Sequence, residues 1–203
     1  MDDQLIRQAL RDMKPDRVLP FRFLAAVRHA PRFAPELEAA MLRNLEGQPK
    51  LKGHTVILVD ISGSMNAMLS GKSEMQRMDA AIGLAVMGRE MCESVSVASF
   101  SDYTREIPAY RGLGLSEAIK NSQRHSGTDL RSAVAWANQQ RYDRLIVITD
   151  EQSRTVPPSP LGRGYVINVA SYKNGIGYGL WLHLDGFSEK IMDYIRVYEQ
   201  AAD

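Results

Sequence analysis

One cysteine in 203 residues, Cys92, excludes an internal disulfide and suits a reducing compartment. It falls in a helical pattern beside Met91, where a small buried hydrophobe is expected. No apolar run approaches the roughly 20 residues that span a bilayer. The start, Met1-Asp2-Asp3, is acidic and lacks the basic and apolar regions of a signal peptide. A soluble, cytoplasmic protein is expected. Charge of one sign is also scarce. The net charge is +1; residues 1–53 carry ten Lys/Arg against seven Asp/Glu (+3), and the remainder fifteen against seventeen (−2). No whole-molecule field favours nucleic acid or an acidic membrane.

Several catalytic signatures are missing as well. His29, His54, His125 and His183 show no metal-ligand spacing. Gly71-Lys72-Ser73 has the end of a phosphate-binding P-loop, but Asn66 stands where the first glycine is required. Ser62 and Ser64 lack the flanking glycines of a nucleophile elbow, and Ser62 breaks a phosphatase-like D-x-D. Gly175, Gly177 and Gly179 precede a strand, the wrong side for a dinucleotide fingerprint. No base–nucleophile pair is suggested, so a non-enzymatic role is expected.

The run His54–Asp60 is apolar, β-branched and short, and reads as a strand buried on both faces of a mostly parallel sheet. Asp60 would stand at its carboxyl end, where open α/β sheets bind ligands. Asp60, Ser62 and Ser64, around Gly63, can turn three oxygens toward one centre. Oxygen-only ligation suits a hard ion such as Mg²⁺. Ser126-Gly127-Thr128-Asp129 offers a second hydroxyl turn, and Arg144–Thr149 is a second buried strand, leading into Asp150. Each residue also has a plainer role: aspartates favour strand-end turns, and hydroxyls cap helices.

The chain otherwise alternates. Helical spacing covers 2–13, a second helix opens at Pro20, and Pro35 opens a third through Leu45, before Gly47-Gln48-Pro49. These three short helices must pack on the domain carboxyl-terminal to them, or on something absent. Strand 54–60 precedes a helix that starts near Gln76, from the capping-box spacing Ser73–Gln76, and runs through Cys92. Strands at Ser94–Phe100 and Thr104–Tyr110, the latter an edge because of Pro108, precede helices at Leu115–Gln123 and Asp129–Gln140. Strands at 144–149, Gly164–Ala170 and Gly179–Leu184 and a helix at Ser188–Gln200 complete a doubly wound α/β pattern.

The set Asp60, Ser62, Ser64, Thr128 and Asp150 resembles the metal-ion-dependent adhesion site of von Willebrand factor A (vWA) domains: D-x-S-x-S, a distant Thr, a distant Asp. The resemblance implies a Rossmann-like fold over residues 51–203 and a Mg²⁺ (or Mn²⁺) ion held by those five residues. In that family hydroxyls touch the ion directly, the aspartates often act through water, and a partner protein's carboxylate takes the open position. Asn66, Asp102 and Glu151 are candidate rim residues, although a solvated turn is the first explanation of Asp102 and Glu151 is similarly ambiguous. Val18-Leu19-Pro20-Phe21-Arg22-Phe23-Leu24-Ala25-Ala26, then Leu37–Met41, resembles the end of the helical-repeat TROVE module in the Ro autoantigen family, which leads into a vWA domain. Residues 1–50 would then be a helical extension, and the chain the carboxyl portion of a bacterial Ro-like, RNA-handling ribonucleoprotein. Arg17, Arg22, Arg28 and Arg32 are candidates for contact with small noncoding RNA, weak for this chain alone; helix faces also carry arginines for solubility. An RNA-binding module with a structural metal, and a metal-assisted phosphohydrolase, are the alternatives.

Overall fold

The computed structural model describes residues 2–71, 73–152, 156–170 and 179–202; Lys72, Gly175 and Gly177 lie outside them, as does the side chain of Arg17. Six strands form one sheet: β1 (Leu51–Asp60), β2 (Cys92–Phe100), β3 (Thr104–Ile107), β4 (Arg144–Thr149), β5 (Arg163–Asn168) and β6 (Trp181–Asp185). Their spatial order is β3-β2-β1-β4-β5-β6, all parallel except β3, which runs antiparallel to β2. This is the doubly wound α/β fold expected from the alternating pattern.

The apolar runs are explained by burial on both faces. Ile57, Val59, Ile146, Ile148 and Ile167 point into one core, and Val56, Leu58, Leu145, Val147 and Val166 into another. The second core is closed by α6 (Leu130–Ala137) through Leu130, Ala133, Val134 and Ala137. The first is larger. It takes α4 (Arg77–Met91), α5 (Gly112–Lys120) and α7 (Ile191–Ala202), and also α2 (Pro20–His29) and α3 (Ala34–Glu46) through Phe21, Phe23, Leu37, Met41 and Leu45. Helix α1 (Asp3–Asp12) adds Ile6 and Leu10 at its margin. The amino-terminal helices therefore share a core with the sheet. Phe21 packs where any side chain at Gly83 of α4 would stand, 2.1 Å from a β-carbon built there.

Several boundaries differ from expectation, for local reasons. The capping box that starts α4 is Gln76 with Asp79, whose carboxylate accepts from the Gln76 N–H at 3.1 Å; Ser73 instead closes a turn by accepting from Met75 N–H at 3.0 Å. Cys92 is not in the helix but opens β2, and it is buried as expected. Strand β3 ends at Ile107 because Pro108 has no N–H to continue the ladder. Helix α5 starts earlier, at Gly112, where φ is +53° and the Glu38 carboxylate accepts from Leu113 N–H at 2.6 Å.

Candidate metal centre

The strand order reverses between β1 and β4, so the loops leaving those strands diverge and open a crevice between them. Asp60 ends β1 and Asp150 directly succeeds β4, so each stands at that opening. Both are fully buried. Asp60 Oδ1 accepts from Ser62 N–H at 2.8 Å, and Oδ2 accepts from the Thr149 hydroxyl at 2.6 Å. Asp150 Oδ1 accepts from the Ser64 hydroxyl at 3.2 Å and from Gln152 N–H at 3.3 Å. The Ser62 and Ser64 hydroxyls are 3.2 Å apart. The serines thus bridge the two aspartates, with a 3₁₀ turn (Gly63–Asn66) carrying Ser64.

Thr128 arrives from the other side. With Ser64, Asp102, Ser126, Gly127, Asp129 and Gln152 it lines a cleft of about 600 Å³. Its loop is stitched to the β2–β3 turn: Ser101 accepts from Ser126 N–H at 3.0 Å and donates to Gly127 C=O at 2.9 Å, and Asp129 N–H donates to Ser101 C=O at 2.7 Å. Asp102 accepts from Gly127 N–H at 2.9 Å and from the Ser126 hydroxyl. Gly127 leaves the room that the Asp102 carboxylate fills, because a β-carbon would meet Asp102 Oδ1 at 2.3 Å. Asp102 is therefore more than a solvated turn residue: it fixes the loop that presents Thr128.

The other candidates are dispersed. Asn66 is exposed at the end of the 3₁₀ turn and does not line the cleft. Glu151 is buried, with φ at +57°; its backbone N–H donates to Thr149 Oγ1 at 3.1 Å and its carboxylate lies 3.1 Å from His183 Nδ1. It faces β6 rather than the cleft lining. Arg28 pairs with Asp79, and Arg32 pairs with Asp3 at 3.4 Å and lies over the Phe33 ring; Arg22 is exposed on α2. Sequence reasoning missed Arg77, whose Nη1 lies 2.9 Å from Asp150 Oδ2 with both groups buried. It also missed Ser101, Thr149 and Gln152. Thr149, directly before the second aspartate and opposite the first across parallel strands, was the readable one.

Electrostatically the centre holds two buried carboxylates. Burial pushes the Asp60 carboxyl up to about 6, against the hydrogen bonds from Ser62 and Thr149, and the nearby Asp150 charge adds to the rise. Among the described residues Asp60 forms no ion pair, whereas Asp150 has Arg77. An unpaired buried anion is costly, and a divalent cation beside it would offset that cost. The donor types agree: Ser62, Ser64, Thr128, Asp60 and Asp150 offer only oxygen, which suits Mg²⁺ or Mn²⁺. Among the described residues no three His, Cys, Asp or Glu side chains converge.

The crystal structure of Deinococcus radiodurans RO (RSR) protein is similar to this chain with a TM-score of 0.73 at 18% identity, over 98% of this chain and 48% of that one. This chain thus spans about half the length of that protein, and the likeness is one of fold. Structures from Bacteroides are similar at lower TM-scores. BatB from B. thetaiotaomicron gives 0.49 at 13% identity, over 74% of this chain and 99% of that one. An aerotolerance-related membrane protein from B. fragilis NCTC 9343 gives 0.40 at 17% identity, over 57% and 66%. No curated protein sequence matches the chain. The model of the Ro60 vWA domain matches residues 54–161, more than half of the 203, and the chain belongs to that family.

Proposed function

We propose that this Ro-like vWA module is a non-enzymatic, metal-dependent binding unit that recruits a protein partner. Ser62, Ser64 and Thr128 would hold Mg²⁺ or Mn²⁺ from their hydroxyls, with Asp60 and Asp150 as the anionic groups behind them. The observation that carries this reading is the pair of serines bridging two fully buried aspartates at the sheet's switch point, below an open cleft. An ion held largely by neutral hydroxyls keeps much of its charge and attracts one more anionic oxygen. A partner's Asp or Glu carboxylate supplies it. Asp102 contributes by positioning Thr128.

On this reading residues 1–50 form a helical extension and residues 51–203 the A-like domain of a cytoplasmic, RNA-handling ribonucleoprotein. Any direct contact with RNA by this chain is weak, because Arg28 and Arg32 are already engaged with Asp79 and Asp3. No helix of the described residues is long and apolar enough to cross a membrane.

The test is titration calorimetry with Mg²⁺ and Mn²⁺ on the wild type and on Asp60→Ala with Ser62→Ala. Saturable heat and thermal stabilisation in the wild type, lost in the double variant, are expected. Equal heats in both proteins would place any bound ion elsewhere. RNA binding that is salt-sensitive and survives the double variant would instead favour an RNA-binding module.

A further inference from the structure

We infer that Arg77 is a built-in counter-charge that keeps a bound divalent ion attractive to a partner's carboxylate. The inference rests on the metal-dependent reading above and deepens it. Arg77 is the first residue of α4 and is 6% exposed, so its charge is withdrawn from water. Its Nη1 reaches Asp150 Oδ2 at 2.9 Å, on the oxygen opposite the one that takes the Ser64 hydroxyl. Its placement is fixed from three sides. The Gln76–Asp79 capping box sets the helix start, Arg77 N–H donates to Ala67 C=O at 2.9 Å, and Met68 bridges to Gln76. The same loop that carries Ser62 and Ser64 therefore also positions the Arg77 backbone, from which the guanidinium reaches Asp150.

The charges then decide the behaviour of the ion. Among the buried groups Asp60 and Asp150 give −2 and Arg77 brings the three to −1, while Asp102 and Asp129 on the open cleft rim are held by the Gly127 and Ser132 N–H groups. A divalent ion leaves the assembly at +1, which draws in one carboxylate and is neutral with it. Without Arg77 the two aspartates alone would cancel the ion. The ion would then bind more tightly, and the carboxylate would lose its attraction. Arg77 trades ion affinity for partner affinity.

The experiment uses the full chain, with Mn²⁺ as the ion and acetate as the carboxylate probe. Wild type, Arg77→Lys, Arg77→Gln and Arg77→Met are titrated with Mn²⁺, with and without acetate. Acetate should tighten Mn²⁺ binding in the wild type and in Arg77→Lys, which keeps the charge. Arg77→Gln and Arg77→Met should bind Mn²⁺ at least about tenfold more tightly, the floor set by a unit charge about 6 Å from a divalent ion even at the dielectric of water, and should lose the acetate effect. Weaker or unchanged Mn²⁺ binding in both neutral variants overturns the inference. So does failure of both to fold in saturating Mn²⁺, because the ion should itself supply the missing counter-charge. Absence of Mn²⁺ binding in all four proteins refutes the metal site, not the role of Arg77 within one.

Discussion

Asp60 carries the sharpest single-residue consequence. Its carboxyl is ordinary in the unfolded chain and raised to about 6 by burial in the fold. The folded state therefore holds this proton more tightly than the unfolded state. The group favours folding below about pH 4, and that contribution is lost as the pH rises through about 6. The difference amounts to roughly 3 kcal/mol at most. In chelator, Asp60→Asn should gain stability relative to wild type between pH 4.5 and pH 7.5, as measured by urea denaturation. Added Mg²⁺ should close the gap at pH 7.5. A difference that stays flat with pH would mean that Asp60 is not buried as an anion. At this scale the sequence was legible for residues whose roles follow from local spacing. Asp60, Ser62 and Ser64 lie within one turn. Thr128 showed as a hydroxyl turn but needed a family resemblance to be joined to them, and Arg77 could not be seen at all, because its partner is 73 residues away.

Between elements, the contact of α2 with α4 depends on a missing side chain. Gly83 in the middle of a helix normally costs about 1 kcal/mol relative to Ala. Here the Phe21 ring occupies the space, and that ring also sits edge-on against Phe187 at 4.4 Å between centroids. Gly83→Ala should therefore destabilise rather than stabilise, by about 1–3 kcal/mol, because a rigid ring must move. Thermal unfolding compared with a surface Gly→Ala control such as Gly71 would show it. The reading of Pro20, Pro35 and the helical spacing identified these helices from sequence. What they pack against required the fold, because a three-helix leader rich in Phe and Leu shows only that it must be covered.

At the scale of the whole molecule, the closing helix is tied back to the sheet by buried charge. Arg144 at the start of β4 pairs with Glu199 of α7 and donates to Lys52 C=O and the Thr55 hydroxyl, 2.8 and 2.9 Å away. Tyr165 of β5 donates to Glu199 Oε1 at 2.8 Å. Burial pushes the Glu199 carboxyl up, but the hydrogen bonds from Arg144 and Tyr165 outweigh it and hold the carboxyl below its usual range. Its contribution is present near neutrality and lost as the pH falls below about 4. Glu199→Gln should cost about 3–5 kcal/mol at pH 7, since it leaves the buried Arg144 charge without its counter-charge. Urea denaturation at pH 7 measures this; a loss under 1 kcal/mol would mean that water reaches the pair.

The sequence by itself determined the alternation of strand and helix, the burial of the strands on both faces and the position of the first aspartate. Those features depend on residues near one another, through period and turn chemistry. The tertiary structure alone decided that β1 and β4 are neighbours, and so that Asp150 meets Ser64. It alone placed Arg77 against Asp150, turned Glu151 toward His183 and made Asp102 a brace for the Thr128 loop. Each of these is a contact between residues two dozen or more positions apart. Strand order fixes such contacts, and no local pattern encodes strand order.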